Sequence, residues 1–143
     1  MTEIGLQMTD NRVSSKWWKK LIKYFVQTGD CLEIRCWKEE LDEIKKASAY
    51  GEPSNENYEV SVKGIVSEEF ISELLSENPK DKSIYNKMTK YFTINAEHGQ
   101  RKLCSAHYGT EMYLIGLSDD DISYFQDVMK EFTEDEFSIA ISK

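Results

Sequence analysis

The sequence predicts a single α+β domain. It should hold a mixed or mainly antiparallel sheet of about five to six strands, with helices packed on one face and an amphipathic helix near the N-terminus. Three observations carry this. Apolar residues alternate with polar ones in some segments, as with Leu32, Ile34 and Cys36 against Glu33 and Arg35. Elsewhere they recur at helical spacing, as with Trp18, Leu21, Ile22 and Phe25. Only 2 Pro and 7 Gly occur in 143 residues, too few turn formers for a sandwich of many short strands, so helices and longer strands are favoured. Aromatic residues make up 12% of the chain, enough to build a core.

Residues 1–12 read as a flexible polar arm, and residues 13–143 as the domain. The first helix is predicted from Ser15 to Val26, with Lys16, Lys19, Lys20 and Lys23 opposite its apolar stripe. Gly29 suits a left-handed position after it. A strand follows at Cys31–Trp37, then a helix at about Lys38–Tyr50 and a loop at Gly51–Asn55. Tyr58–Val66 reads as a strand, and Ser67 can cap a helix over Glu68–Glu77. Ile84, Tyr85 and Met88 suggest a short helical turn. A strand at Lys90–Glu97 leads to a hairpin turn around Gly99. Lys102–Leu117 reads as one long strand bent at Gly109, or as two shorter ones. Ser118 to Asp121 form a capping box for a helix carrying Ile122, Phe125, Val128, Met129 and Phe132. Phe137–Ser142 closes the chain as a strand.

If helices cover one face, Glu33, Arg35, Glu59, Ser61, Lys63, Tyr91, Thr93 and Asn95 fall on the other. A sheet face rich in charge and tyrosine makes a docking surface.

The net charge is −8, and it is concentrated. Beyond residue 110, Glu111, Asp119, Asp120, Asp121, Asp127, Glu131, Glu134, Asp135 and Glu136 face only Lys130 and Lys143. Such a field repels nucleic acid and attracts basic partners. The lysines of the first helix can pair with this region within one chain or between two copies, which leaves a homodimer open. No stretch approaches the roughly 18 apolar residues of a membrane span. An odd cysteine count (Cys31, Cys36, Cys104) and a start without a basic-then-apolar pattern lead to the expectation of a cytoplasmic protein that does not bind membranes.

The chemistry-bearing residues are few. Cys31 and Cys36 are five apart on a strand, so they point to opposite faces, and the C-x4-C and C-x2-H spacings are not those of a zinc site. No metal or cofactor is expected. Phosphate-binding loops of the G-x-x-x-x-G-K-[ST] and G-x-G-x-x-G kinds are absent from the sequence. Glu97, His98, Arg101 and His107 are the candidate catalytic set, suited to metal-independent hydrolysis of a phosphodiester if the two histidines meet across the hairpin.

No motif assigns a family. The profile of a small, acidic, single-domain α+β chain resembles that of bacterial immunity proteins and other stoichiometric inhibitors. That resemblance implies a protein-binding module whose acids, Asp119, Asp120, Asp121, Asp127, Glu131, Glu134, Asp135 and Glu136, steer a basic toxin or enzyme. Tyr113, Tyr124 and Trp37 would be its buried anchors. The alternatives are a small hydrolase or nuclease using His98, His107 and Glu97, and a ligand-sensing domain using the polar sheet face.

Overall fold

The computed structural model describes residues 2–10, 12–79, 87–132 and 136–143. Among these, eight strands form one antiparallel sheet, and four α-helices and a 3-10 turn accompany it. The strands are β1 (Thr2–Met8), β2 (Cys31–Trp37), β3 (Gly51–Glu56), β4 (Glu59–Ile65), β5 (Thr93–His98), β6 (Arg101–Ala106), β7 (Glu111–Leu117) and β8 (Phe137–Ser142). Their spatial order is β3-β4-β2-β5-β6-β7-β1-β8. The helices are α1 (Lys16–Phe25), α2 (Leu41–Ala47), α3 (Glu68–Ser76) and α4 (Asp119–Met129), with the 3-10 turn at Ser48–Tyr50.

The expected five to six strands become eight for identifiable reasons. The predicted N-terminal arm is β1, an interior strand paired with both β7 and β8. It buries Ile4 and Leu6, and its alternation is diluted by Gly5 between them. The predicted loop after α2 is β3. Its Gly51, Pro53, Ser54 and Asn55 look like turn residues, yet Pro53 is tolerated because β3 is an edge strand, unpaired on one side among the described residues. Lys102–Leu117 is two strands, β6 and β7, joined by a turn in which His107, Tyr108 and Gly109 all have positive φ. Ile84 and Tyr85 lie outside the described residues.

Cross-strand register assigns the faces. Ile34 sits opposite Val62 and Ile94, Ile94 opposite Ser105, Leu103 opposite Leu114, and Leu114 opposite Ile4. These residues are buried, and all but Ser105 join one core cluster with Trp17, Trp18, Leu21, Ile22 and Phe25 of α1, Phe70 and Leu74 of α3, and Phe125, Val128 and Met129 of α4. The expectation of helices gathered on one face is not met as a clear layer. Helix α1 packs on α3 and α4, whereas α2 is short and polar, lies beside β2, β4 and the 3-10 turn, and buries only Ala47. Tyr91 is also corrected. It precedes β5, is fully buried rather than exposed on the polar face, and donates its hydroxyl to Glu73 Oε2 at 2.6 Å.

Two local devices fix the helices. Ser118 accepts from the Asp121 backbone N–H at 3.1 Å, and Asp121 Oδ2 accepts from the Ser118 N–H at 3.0 Å, closing the capping box of α4. Trp18 of α1 donates Nε1 to Ser105 Oγ at 3.1 Å, a bond buried in the core. Gly109 has φ +84°, and a Cβ there would lie 2.7 Å from both Trp18 Nε1 and Met88 Cβ.

Replacing Ser118 with Ala should cost about 1 kcal/mol, the usual cost of losing a serine cap. Gly109→Ala combines a strained backbone with overpacking and should cost about 2–4 kcal/mol. Urea denaturation of each variant measures both.

Candidate functional site

The second face of the sheet is polar, and one row of side chains crosses it. Lys63 on β4 is opposite Glu33 on β2, Glu33 opposite Asn95 on β5, and Asn95 opposite Cys104 on β6. Cys104 is opposite Tyr113 on β7, Tyr113 opposite Gly5 on β1, and Gly5 opposite Ala140 on β8. A neighbouring row places Ser61 and Thr93 either side of Arg35.

Glu33 organises this face. Its carboxylate accepts from Ser61 Oγ at 2.5 Å, Asn95 Nδ2 at 3.1 Å and Arg35 Nη1 at 3.1 Å. Arg35 also donates Nε to Glu59 Oε1 at 3.0 Å. Burial alone would raise the Glu33 carboxyl. The hydrogen bonds from Ser61 and Asn95, together with the Arg35 charge, outweigh it and hold the carboxyl below its ordinary value. The network explains why Ser61 is fully buried on a polar face. Beside it, Cys31, Leu32, Glu33, Lys63, Gly64, Asn95 and Glu97 line a depression of about 320 Å³. Cys31 is exposed there, while Cys36 is buried in the core, as the alternation requires. Burial pushes the Cys36 thiol up to about 12, with Glu40 adding to it. The Cys104 thiol is also raised, by burial first and then by Glu33.

Farther along the row, Tyr113 is 42% exposed and Ile115 36%. The Tyr113 hydroxyl donates to Glu111 Oε1 at 3.0 Å, and the other Glu111 oxygen contacts His107 Nδ1. The ring of Tyr113 passes over bare Gly5, whose missing side chain leaves a hollow between β1, β7 and β8. Of the predicted anchors, Tyr113 alone presents its ring. Trp37 is half-buried, its ring 4.7 Å from that of Phe92. Tyr124 stacks on Tyr24 at 3.9 Å and donates its hydroxyl to the Lys20 carbonyl.

The acids are divided between two uses. Asp119 and Asp120 are exposed at the start of α4. Asp121 is buried, accepts from the Tyr24 hydroxyl at 3.0 Å and pairs with Arg101 at 3.3 Å. Burial would raise its carboxyl, but the Ser118 N–H, the Tyr24 hydroxyl and Arg101 hold it below the ordinary value. Glu131 pairs with Lys20 at 2.5 Å, and exposed Asp127 lies 3.5 Å from Lys130. Glu136 is half-buried ahead of β8. Glu134 and Asp135 lie outside the described residues.

The predicted catalytic set is not brought together. His98 is opposite Arg101 at the start of β6, and His107 follows Ala106 at its far end. His98 Nδ1 lies 3.3 Å from Asp30 Oδ1. Arg101 turns to the helices, 5.5 Å from the Phe25 ring. Glu97 faces Lys102 on the polar face. Sequence reading missed Cys104, Gly5 and Ile115 as members of the polar face, because their position depends on how β1, β6 and β7 pair.

Set against models of protein families, curated proteins and solved structures, the chain matches none.

Glu33→Gln tests the network. A carboxyl held below its ordinary value, about 4, stabilises fully above that pH and loses the contribution as pH falls through its lower folded value. The variant should therefore be less stable by about 1–2 kcal/mol at pH 7. The gap should close as the pH falls below about 4, read from urea denaturation at both pH values.

Proposed function

We propose that the protein is a protein-binding module: an acidic stoichiometric inhibitor that neutralises a basic toxin or enzyme, working through the polar face of its sheet. The observation that carries this reading is the exposed Tyr113–Ile115 patch on the sheet, with carboxylates beside it and Lys102 opposite Ile115 on β6. Glu3 lies opposite Ile115, Glu111 holds the Tyr113 hydroxyl, and Glu97 faces Lys102 on the adjoining strands. An aromatic ring with its hydroxyl already oriented makes a low-entropy anchor. Acids around it raise the rate at which a basic partner arrives. The exposed Asp119 and Asp120 extend the same field beyond the sheet.

The polar face is favoured over α4 as the working surface. Helix α4 commits Asp121 and Tyr124 to contacts within the chain, as does Glu131 just beyond it, whereas Tyr113 and Ile115 are left facing outwards.

The test captures a partner on the immobilised protein at low and high salt, then measures its binding to the wild type and to Tyr113→Ala. The expected partner is basic and its association slows as salt rises. Tyr113→Ala should weaken it by about 2 kcal/mol, roughly 30-fold. An acidic partner, salt-insensitive association, or unchanged affinity in Tyr113→Ala overturns the reading.

A further inference from the structure

The two edges of the sheet are built differently. Edge β3 carries Glu52, Pro53 and Glu56, a proline without an N–H and two charges, devices that block pairing with another strand. Edge β8 reads Phe-Ser-Ile-Ala-Ile-Ser, with no charge and no proline. It pairs with β1 on one side and, among the described residues, with nothing on the other. Its Ile139 and Ile141 are 41% and 42% exposed, on the same face as the core. Beside them runs a groove of about 530 Å³, lined with Phe125, Met129 and Phe132 and bordered by Gln126 and Lys130.

We propose that β8 is a self-association edge, at which a second copy of this chain adds its own β8 antiparallel to extend the sheet across a twofold axis. Self-complementarity selects this occupant. Antiparallel pairing places each residue opposite one on the same face, so Ile139 and Ile141 meet their own counterparts over the groove. The small Ser138, Ala140 and Ser142 meet theirs on the other face. The two grooves then run into one another and deepen the apolar contact beyond the strand. The strand is also preceded by an acid, Glu136, and followed by a base, Lys143. Antiparallel copies bring each acid near the other's base, whereas parallel copies would set like charges side by side. An isologous twofold pair closes on itself, so the open edge ends in a dimer rather than a fibre. This inference concerns a different surface from the polar face and does not depend on the partner proposed for it.

The experiment is sedimentation equilibrium of the full chain from about 1 µM to about 1 mM, the range in which a weak dimer dissociates. The wild type should move from one chain to two, and Ile139→Lys combined with Ile141→Lys should remain at one chain throughout. Near-UV circular dichroism of the buried Trp17 and Trp18 checks that the variant is folded. Twofold pairing also places a residue near the strand centre opposite itself. In a Cys31→Ser background, Ile139→Cys or Ala140→Cys should therefore form a disulfide-linked dimer on oxidation. The yield should be at least tenfold above that of Ser54→Cys on the guarded edge. A wild type that stays monomeric overturns the inference. So does a dimer that survives the double lysine substitution, or cross-linking no higher at β8 than at β3.

Discussion

The seat of the Trp18 indole is the constraint on which the rest of the structure depends. The ring belongs to α1, its N–H is bound by Ser105 in β6, and its edge fills the space that a side chain at position 109 would occupy. One side chain thus ties the first helix to the middle of the sheet and dictates the backbone of the β6–β7 turn. The polar Ser105 in an apolar row is explained by this bond, since a buried indole N–H without an acceptor would be costly. Met88 closes the same seat from the segment leading into β5.

Around that seat, charge is handled in two ways. On the helix side Asp121 serves the α4 cap, the Tyr24 hydroxyl and Arg101 together, so one carboxylate joins α1, α4 and β6. On the polar face Glu33 plays the corresponding part, drawing Arg35, Ser61 and Asn95 across three strands. Glu33 is half-buried and Asp121 buried, and both carboxyls lie below their ordinary values because donors surround them. Asp119, Asp120 and Asp127 stay on the surface, where they shape the field more than the fold.

The parts of this fold legible in the sequence were those where one local signal sufficed. Strands β2 and β8 have the predicted bounds, and Ser118 caps α4 as its spacing with Asp121 requires. Gly29 takes a left-handed conformation after α1 as expected. What was not legible depended on partners distant in sequence. Strand β1 is a strand because β7 and β8 flank it, and β3 tolerates Pro53 because it is an edge strand among the described residues. Tyr91 falls inside the core rather than on the polar face because β5 begins at Thr93, three residues later than the alternation suggests. For the site, the types of residue were visible but their neighbours were not. His98 and His107 are separated by the whole length of β6, and Tyr124 is occupied by Tyr24.

The interior position of β1 has a consequence for how the chain is made. Strand β1 is synthesised long before its two neighbours, residues 111–117 and 137–142. Until those emerge, Ile4 and Leu6 have no strand to lie against. The β2–β4 and β5–β6 hairpin regions can form as they are synthesised, but the half of the sheet containing β1 must wait. Pairing between such distant segments is slow to nucleate. Assembly of the sheet is therefore ordered in time, with β1, made well before either neighbour, among the last strands to be installed.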